Sequence, residues 1–302
     1  MKTCQHCWSN NHDNALYCES CGNPLFRMCN NCGIQLNPSA CFCPQCGTKV
    51  EDDKKYSDFT VRVRGVSFKM IFVKGGTFRM GTCESDEDTQ KDERPQHAVT
   101  LSDFYIAETK VTAELWKAVM GDIPLLDSEW TSYGGYKEYK NEYKPNYPVE
   151  SCSFLESEGF IEELNELTGK KFRFPTEAEW EYAARGGQKS RGFRYAGTNN
   201  YDNIARYKWD DVFPIKQIIP NELGLYDMCD NQGEWCSDYY DFNYYNRSPK
   251  INPCNTDPTN KRVLRGGLHP EYCSKARPTF RNGAKEDAKG GLITLRLAMS
   301  VD

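Results

Sequence analysis

Beyond residue 60 the chain alternates short β-branched or aromatic runs with polar turns. VRVRGV and FKMIFV, then Gly75-Gly76 and TFRMG, predict paired strands around a turn between 61 and 80. HAVTLSDFYIAE (97–108) extends that character, and the acidic ESDEDTQKDERP before it reads as an exposed loop. Strand signals return at RVLR (262–265) and LITLRLAMSV (292–301). Between them the period changes to that of amphipathic helices. Thr112 caps a run with Leu115, Trp116, Val119 and Met120 on one face, closed by Gly121. Ser153 and Glu156 form a capping box before Phe160, Ile161, Leu164 and Leu167, closed by Gly169. Thr176 and Glu179 repeat the box ahead of Trp180, Tyr182, Ala183 and Ala184. From about 187 to 260 the chain is rich in Gly, Pro, Asn, Asp and Tyr without periodicity, which predicts ordered loop. The fold class is therefore α+β, with loops that need bound cations or aromatic packing to hold them.

The first fifty residues follow a different rule, because nine of the fifteen cysteines fall in the first 46 positions. Cys4-x-x-Cys7 is followed after ten residues by Cys18-x-x-Cys21, and Cys29-x-x-Cys32 after ten by Cys43-x-x-Cys46. Each pair sets two thiolates on one tight turn, and two turns close a tetrahedron around zinc with no position left for water. Two structural zinc ions are expected, the first on Cys4, Cys7, Cys18 and Cys21, the second on Cys29, Cys32, Cys43 and Cys46. Iron–sulfur ligation and redox dithiols are the competing readings of such pairs. Cys41 lies outside the pattern and reads as a spare. The expected domains are a ribbon over 1–24, a second over 25–50, a charged linker over 51–59, and one large domain over 60–302. The tandem resembles the double zinc ribbons of many bacterial proteins, where they look like docking modules.

Charge and hydropathy then exclude function classes. With 38 Lys+Arg against 43 Asp+Glu, the net charge of −5 offers no basic field for nucleic acid. A mean hydropathy of −0.75 and no apolar run of membrane-spanning length leave no reason to expect a membrane partner. The N-terminus lacks the apolar stretch of a signal peptide, so a cytoplasmic location is expected.

Six blocks in order make the large domain recognisable: MIFVKGGTFRMG (70–81), ERPQHAVTLSDFYIAETKVT (93–112), FRFPTEAEWEYAARGG (172–187), NELGLYDMCDNQGEWCSDY (221–239), RVLRGG (262–267) and LRLA (295–298). They resemble the family of formylglycine-generating enzymes, or sulfatase-modifying factors. The resemblance implies a C-type-lectin-like fold with a twisted antiparallel sheet. It also implies an oxidase that converts a sulfatase cysteine to formylglycine with copper(I) held by two thiolates five positions apart. Cys273 matches the second of that pair and is the catalytic candidate if the chain is active. Leu268 stands where the first should be, or Glu271 when counted forward from Gly267, and neither is a thiol. Copper is therefore expected only in an active enzyme. An unpaired cysteine such as Cys273 is also read as a packing residue.

The resemblance further implies calcium, with Asp227 and Glu234 as side-chain ligands and the carbonyls of Asp230 and Gln232 completing the set; a solvated acidic turn is the alternative. A second calcium site would begin at Asn203-Ile204, with Asp210 or Asp211 replacing a missing aspartate. Trp180 and Trp235 read as core, and His97 as structural. The departures from the family concentrate in LHPEYCSKARPTFRNGAKEDAKGGLIT, between RVLRGG and LRLA. That resembles the variable proteins diversified by retroelements, which use this fold and vary a C-terminal surface. The favoured expectation is a non-catalytic, lectin-like binding protein for a protein or peptide ligand. Its candidate contacts are His269, Glu271, Tyr272, Lys275 and Arg277. The alternatives are the copper oxidase and an unrelated tailoring activity on the same fold.

Overall fold

The computed structural model describes residues 2–3, 10–12, 27–29, 31–36, 40, 42–49, 56–86, 88–124, 143–204, 213–267, 273–290 and 292–301. The chain forms two compact units, Met1–Tyr56 and Ser57–Asp302. In the first, β1 (Lys2–Thr3) pairs with β2 (Asn10–Asn11) and β3 (Arg27–Met28) with β4 (Gln35–Leu36), all antiparallel. Its described core is Cys29, Leu36 and Cys43, with Ile34 and Ala40 packed beside them. Among the described residues of this unit, that burial is too small to offset the conformational entropy of ordering them.

The second unit opens with β5 (Phe59–Val63) and β6 (Val66–Val73), so regular structure begins just inside the expected linker. Arg64 and Gly65 between them both have positive φ (44° and 90°), which lets a two-residue turn follow the strand twist. Next come β7 (Gly76–Met80), β8 (His97–Leu101) and β9 (Phe104–Ala107), then α1 (Ala113–Met120), α2 (Phe154–Thr168), β10 (Phe172–Arg173) and α3 (Glu177–Ala184). The chain closes with β11 (Gly233–Tyr239), β12 (Arg262–Arg265), β13 (Asn282–Ala284), β14 (Ile293–Thr294) and β15 (Ala298–Ser300). One sheet runs β10-β15-β9-β6-β5, another β13-β12-β11-β14, and β7-β8 form a separate ribbon. Every strand pair is antiparallel except β11 with β14, so the unit is α+β with curled antiparallel sheets. Among the described residues no helix is long and apolar enough to cross a membrane.

The three helices start where their caps predict. Thr112, Ser153 and Thr176 each accept a hydrogen bond from the amide three residues on, and Glu156 and Glu179 close the two capping boxes. Met120 and Leu167, expected on the buried faces, lie at the helix ends and are partly exposed. In α3 every residue is buried, including Glu177, Glu179 and Glu181. Ile71, Val73, Phe104 and Ile106 of the first sheet and Cys236 and Val263 of the second share one core with Ala178, Trp180 and Ala183 of this helix. A helix enclosed on all sides must bring counter-charges for its carboxylates.

Candidate functional site

Arg173 pairs with Glu179 and Arg185 with Glu181, and the remaining counter-charges come from Arg265 of the RVLRGG block and from Arg281 in the segment that departs from the family pattern. Arg265, at the end of β12 and fully buried, donates to Glu177 (3.3 Å) and Glu181 (2.5 Å) of α3 and to the carbonyls of Pro278, Thr279 and Phe280. Arg281 grips the two oxygens of Glu177 at 2.6 and 2.9 Å and donates to the Asp92 carbonyl. Arg277 grips both oxygens of Glu93 at 2.7 and 2.8 Å and donates to the Asp88 carbonyl. Burial alone would raise the Glu177 and Glu93 carboxyls, yet the guanidiniums of Arg281 and Arg265 on one, and of Arg277 on the other, hold both below the usual range. Asp238 has no such partner: burial, with Glu177 nearby, pushes it up to about 7.

This frame corrects two expectations. The stretch 84–95, read as an exposed loop, carries the buried Asp92 and Glu93, and Tyr240 donates to Asp92 at 2.8 Å. Arg277, read as a ligand contact, is 5% exposed and its guanidinium is spent on Glu93 and the Asp88 carbonyl. Lys275 is half-buried at the end of a short turn, Cys273–Ala276, that includes the catalytic candidate. His269, Glu271 and Tyr272, with Leu268, lie outside the described residues. The loop leaves the frame at Gly266 and Gly267, both near φ +98°. A Cβ on Gly266 would meet the Gln232 carbonyl at 2.6 Å, and one on Gly267 the Lys275 carbonyl at 2.9 Å. Only glycine permits both the turn and the contact.

The described cysteines of this unit differ in exposure. Cys152, Cys229 and Cys236 are fully buried; burial pushes the first two thiols up to about 12 and the third well above its ordinary value. Cys254 is half-buried beside Ser237, also pushed up to about 12 by burial. Cys83 is exposed, 3.1 Å from the Ser85 hydroxyl, on the loop that leads to Glu93. Trp180 and Trp235 are core, and His97 contacts Pro95 and the Tyr245 ring.

The turn expected to hold calcium brings Asp227, Asp230, Gln232 and Glu234 together with two cations. Both oxygens of Glu234 are taken, by Arg296 (2.8 and 2.9 Å) and by the Trp180 indole N–H (2.7 Å). Asp227 accepts the Lys216 amide at 2.7 Å. Lys110, the Lys of ETKVT, points its ammonium into the turn, pairs with Asp230 and donates to Gln232 Oε1 at 2.9 Å, with no exposed side-chain surface. Gln232 in turn donates to Glu150 at 3.3 Å. Burial pushes Asp230 up to about 6 and Glu150 up to about 8, against the pull of Lys110. Tested on this chemistry the residues do not fit a divalent cation: Glu234, expected as a side-chain ligand, is spent on Arg296 and Trp180, and a fixed ammonium sits on the side-chain oxygens of Asp230 and Gln232, the residues whose carbonyls were to complete the set. At Asn203-Ile204 the asparagine side chain donates to Thr198 and Ile204 is fully buried. Asp210 and Asp211 lie outside the described residues.

In the first unit, the sulfurs of Cys29, Cys32, Cys43 and Cys46 lie within 4.8 Å of one another, with Cys29–Cys46 and Cys32–Cys43 at 3.5 Å. Zn–S bonds of about 2.3 Å place tetrahedral sulfurs about 3.8 Å apart, so the set fits zinc. Two matching turns aim them: Gly33 N donates to Cys29 O and Cys29 N to Ile34 O, as Gly47 N does to Cys43 O and Cys43 N to Thr48 O. The Thr48 hydroxyl and amide hold the Cys46 thiol down to about 5, while Cys32, against its bond from the Ile34 amide, is pushed up to about 12 by burial and by its thiol neighbours. Cys4, Cys7, Cys18, Cys21 and Cys41 lie outside the described residues.

Comparison with known proteins agrees with both halves. Residues 4–47 match the double zinc ribbon, and residues 57–301 the sulfatase-modifying factor enzyme 1-like domain. A formylglycine-generating enzyme of Streptomyces coelicolor is 30% identical, over 77% of this chain and 89% of that protein. Among solved structures, variable protein 1 of Treponema denticola superposes with a TM-score of 0.67 at 26% identity, covering 81% of this chain and 99% of that one. PvdO of Pseudomonas aeruginosa gives 0.65 at 26% identity, covering 77% and 94%. On this match the chain belongs to the family of sulfatase-modifying factor enzyme 1-like domains, here carried together with a double zinc ribbon.

Proposed function

We propose that this chain is a non-catalytic binding member of its family, which presents a loop on a rigid lectin-like frame to a protein or peptide ligand and docks through its zinc ribbons. The carrying observation is the distribution of thiols. A bis-thiolate copper(I) centre needs two accessible sulfurs side by side. Leu268 or Glu271 stands where the partner of Cys273 belongs, and Cys152, Cys229 and Cys236 are fully buried with protonated thiols. The buried arginine frame supports a loop that can change sequence without unfolding what lies beneath, since Arg265, Arg277 and Arg281 carry the load. Similarity to a structure named as a variable protein supports the same use of the fold. His269, Glu271, Tyr272 and Lys275 are the proposed contacts, in a bacterial cytoplasmic protein with no role for nucleic acid or membrane.

Two tests address this reading. Panning a displayed peptide library on the full chain should enrich peptides whose binding falls at least tenfold in Tyr272→Ala; enrichment indifferent to His269, Glu271, Tyr272 and Lys275 contradicts it. A near-duplicate of the 3′ end of the gene beside a reverse transcriptase gene would establish diversification, and absence of both would refute that part.

One observation favours the oxidase as a second reading. Cys83 is exposed, and its loop is tied to the segment after Cys273 through the grip of Arg277 on Glu93 and the Asp88 carbonyl. A Cys83→Ser variant that lost copper(I) binding along with Cys273→Ser would move the chain to the enzyme class.

A further inference from the structure

We propose that the oxygen-lined turn 227–234 carries its own cation: the Lys110 ammonium stands in place of a divalent metal ion and makes this half of the fold independent of calcium.

The turn has the composition of a hard-cation seat, with Asp227, Asp230 and Glu234 carboxylates and the Gln232 amide oxygen within a few residues. Its anionic side chains lie close enough to interact, Asp230 with both Asp227 and Glu234. In an ordinary acidic turn such carboxylates face water. Here Glu234 is fully buried, Asp227 is 5% exposed and Gln232 5%. Buried carboxylates need positive charge beside them, and two fixed cations provide it. Arg296 neutralises Glu234 from β15's approach, donating also to the carbonyls of Ala107, Glu108 and Tyr226. Lys110 enters from the end of β9, 120 residues away in sequence, and spans Asp230 and Gln232.

An ammonium differs from calcium in one respect that matters to a cell. It is part of the chain, so the seat is filled whatever the free calcium concentration. A divalent ion is present only where its concentration exceeds its dissociation constant. A further divalent ion would also share the turn with Lys110 and Arg296 at distances where like charges in a protein interior repel by kilocalories. Replacing Lys110 by methionine keeps the stem and removes the charge. Three carboxylates then face Arg296 alone, and the deficit of two positive charges is that of one divalent ion.

The test uses the full chain, wild type beside Lys110→Met and Lys110→Gln, in buffers stripped of divalent ions other than the zinc supplied for the ribbons. Calcium is titrated against thermal unfolding, and terbium(III) emission sensitised by tryptophan reports occupancy, because Trp180 bonds to Glu234. The wild type should melt at one temperature across the titration and sensitise no terbium emission. The variants should melt lower without calcium. They should regain about 5 °C or more at calcium a hundredfold above its dissociation constant, and give terbium emission that calcium displaces. A wild type that binds one terbium or calcium ion at this turn overturns the inference. So do folded variants that ignore calcium, since Lys110 would then be an ion-pair partner and nothing more. If neither variant folds even with calcium present, the seat does not accept a metal in place of the ammonium, which overturns it equally.

Discussion

The two units solve the same problem with different cations. In Met1–Tyr56 the described apolar core amounts to Cys29, Leu36 and Cys43, beside four sulfurs within 4.8 Å of one another that suit a zinc ion. In Ser57–Asp302 a core around Trp180 supplies the burial, and the positive charges that organise its loops belong to Lys110, Arg265, Arg277, Arg281 and Arg296. The difference teaches where a metal is indispensable. It is so where there is too little chain to bury, whereas a larger unit can hold its polar interior with covalently attached cations, at a desolvation cost its core can offset.

The sharpest way to break the comparison is to remove the sulfurs. A Cys29→Ser, Cys43→Ser chain should lose one zinc by elemental analysis and the amide dispersion of residues 27–49, forfeiting about 10–16 kcal/mol of apparent metal binding energy. The near-ultraviolet circular dichroism contributed by Trp180 and Trp235 should be unchanged. Loss of both signals together would mean that the units do not fold separately.

Next in size is the charge frame. Glu177→Ala leaves Arg265 and Arg281 buried without their shared partner and should cost about 3–5 kcal/mol in urea unfolding. A cost below about 1 kcal/mol would show that the frame contributes little to stability.

A smaller effect comes from Glu150, which Gln232 links to Lys110 by hydrogen bonds. Burial raises Glu150 from the usual carboxyl range to about 8, so the folded protein holds this proton more tightly than the unfolded chain. Its contribution to stability is complete below the unfolded value near 4.5 and is lost as pH rises toward 8. Wild-type stability should therefore fall between pH 6 and 8, and Glu150→Gln, which keeps the neutral form, should reduce that fall by about 1 kcal/mol. Asp238 acts in the same direction and leaves a residual slope. An unaltered slope in Glu150→Gln would place Glu150 in contact with water.

Smallest of all is the surface. Arg64 and Glu163 lie 3.8 Å apart with about half of each side chain in water, and Glu163→Ala should shift the melting temperature by no more than about 2 °C.

Much of this was legible in the chain. Caps at Thr112, Ser153 and Thr176 announce themselves because they act within three residues, and the second four-cysteine cluster because its spacing is itself the geometry. The charge frame was not legible. Glu93 and Arg277 meet across 184 residues and Lys110 and Asp230 across 120, and each alone looks like a solvated side chain. That is why 84–95 read as an exposed loop and Arg277 as a contact. A usable signal existed in α3: Glu177 and Glu181 share the strip of a short helix that also carries Trp180 and Ala184, which a water-facing strip would not. Calcium is what the family resemblance implies for this turn, and only the fold shows an ammonium on the side-chain oxygens of Asp230 and Gln232.

The claim that this member binds rather than oxidises is tested most directly by mass spectrometry. A sulfatase-type cysteine peptide is incubated with the copper-loaded chain, oxygen and a thiol reductant, beside a Cys273→Ser control. The account predicts a peptide of unchanged mass in both. Conversion of its cysteine to the aldehyde by the wild type, absent from the control, would contradict it.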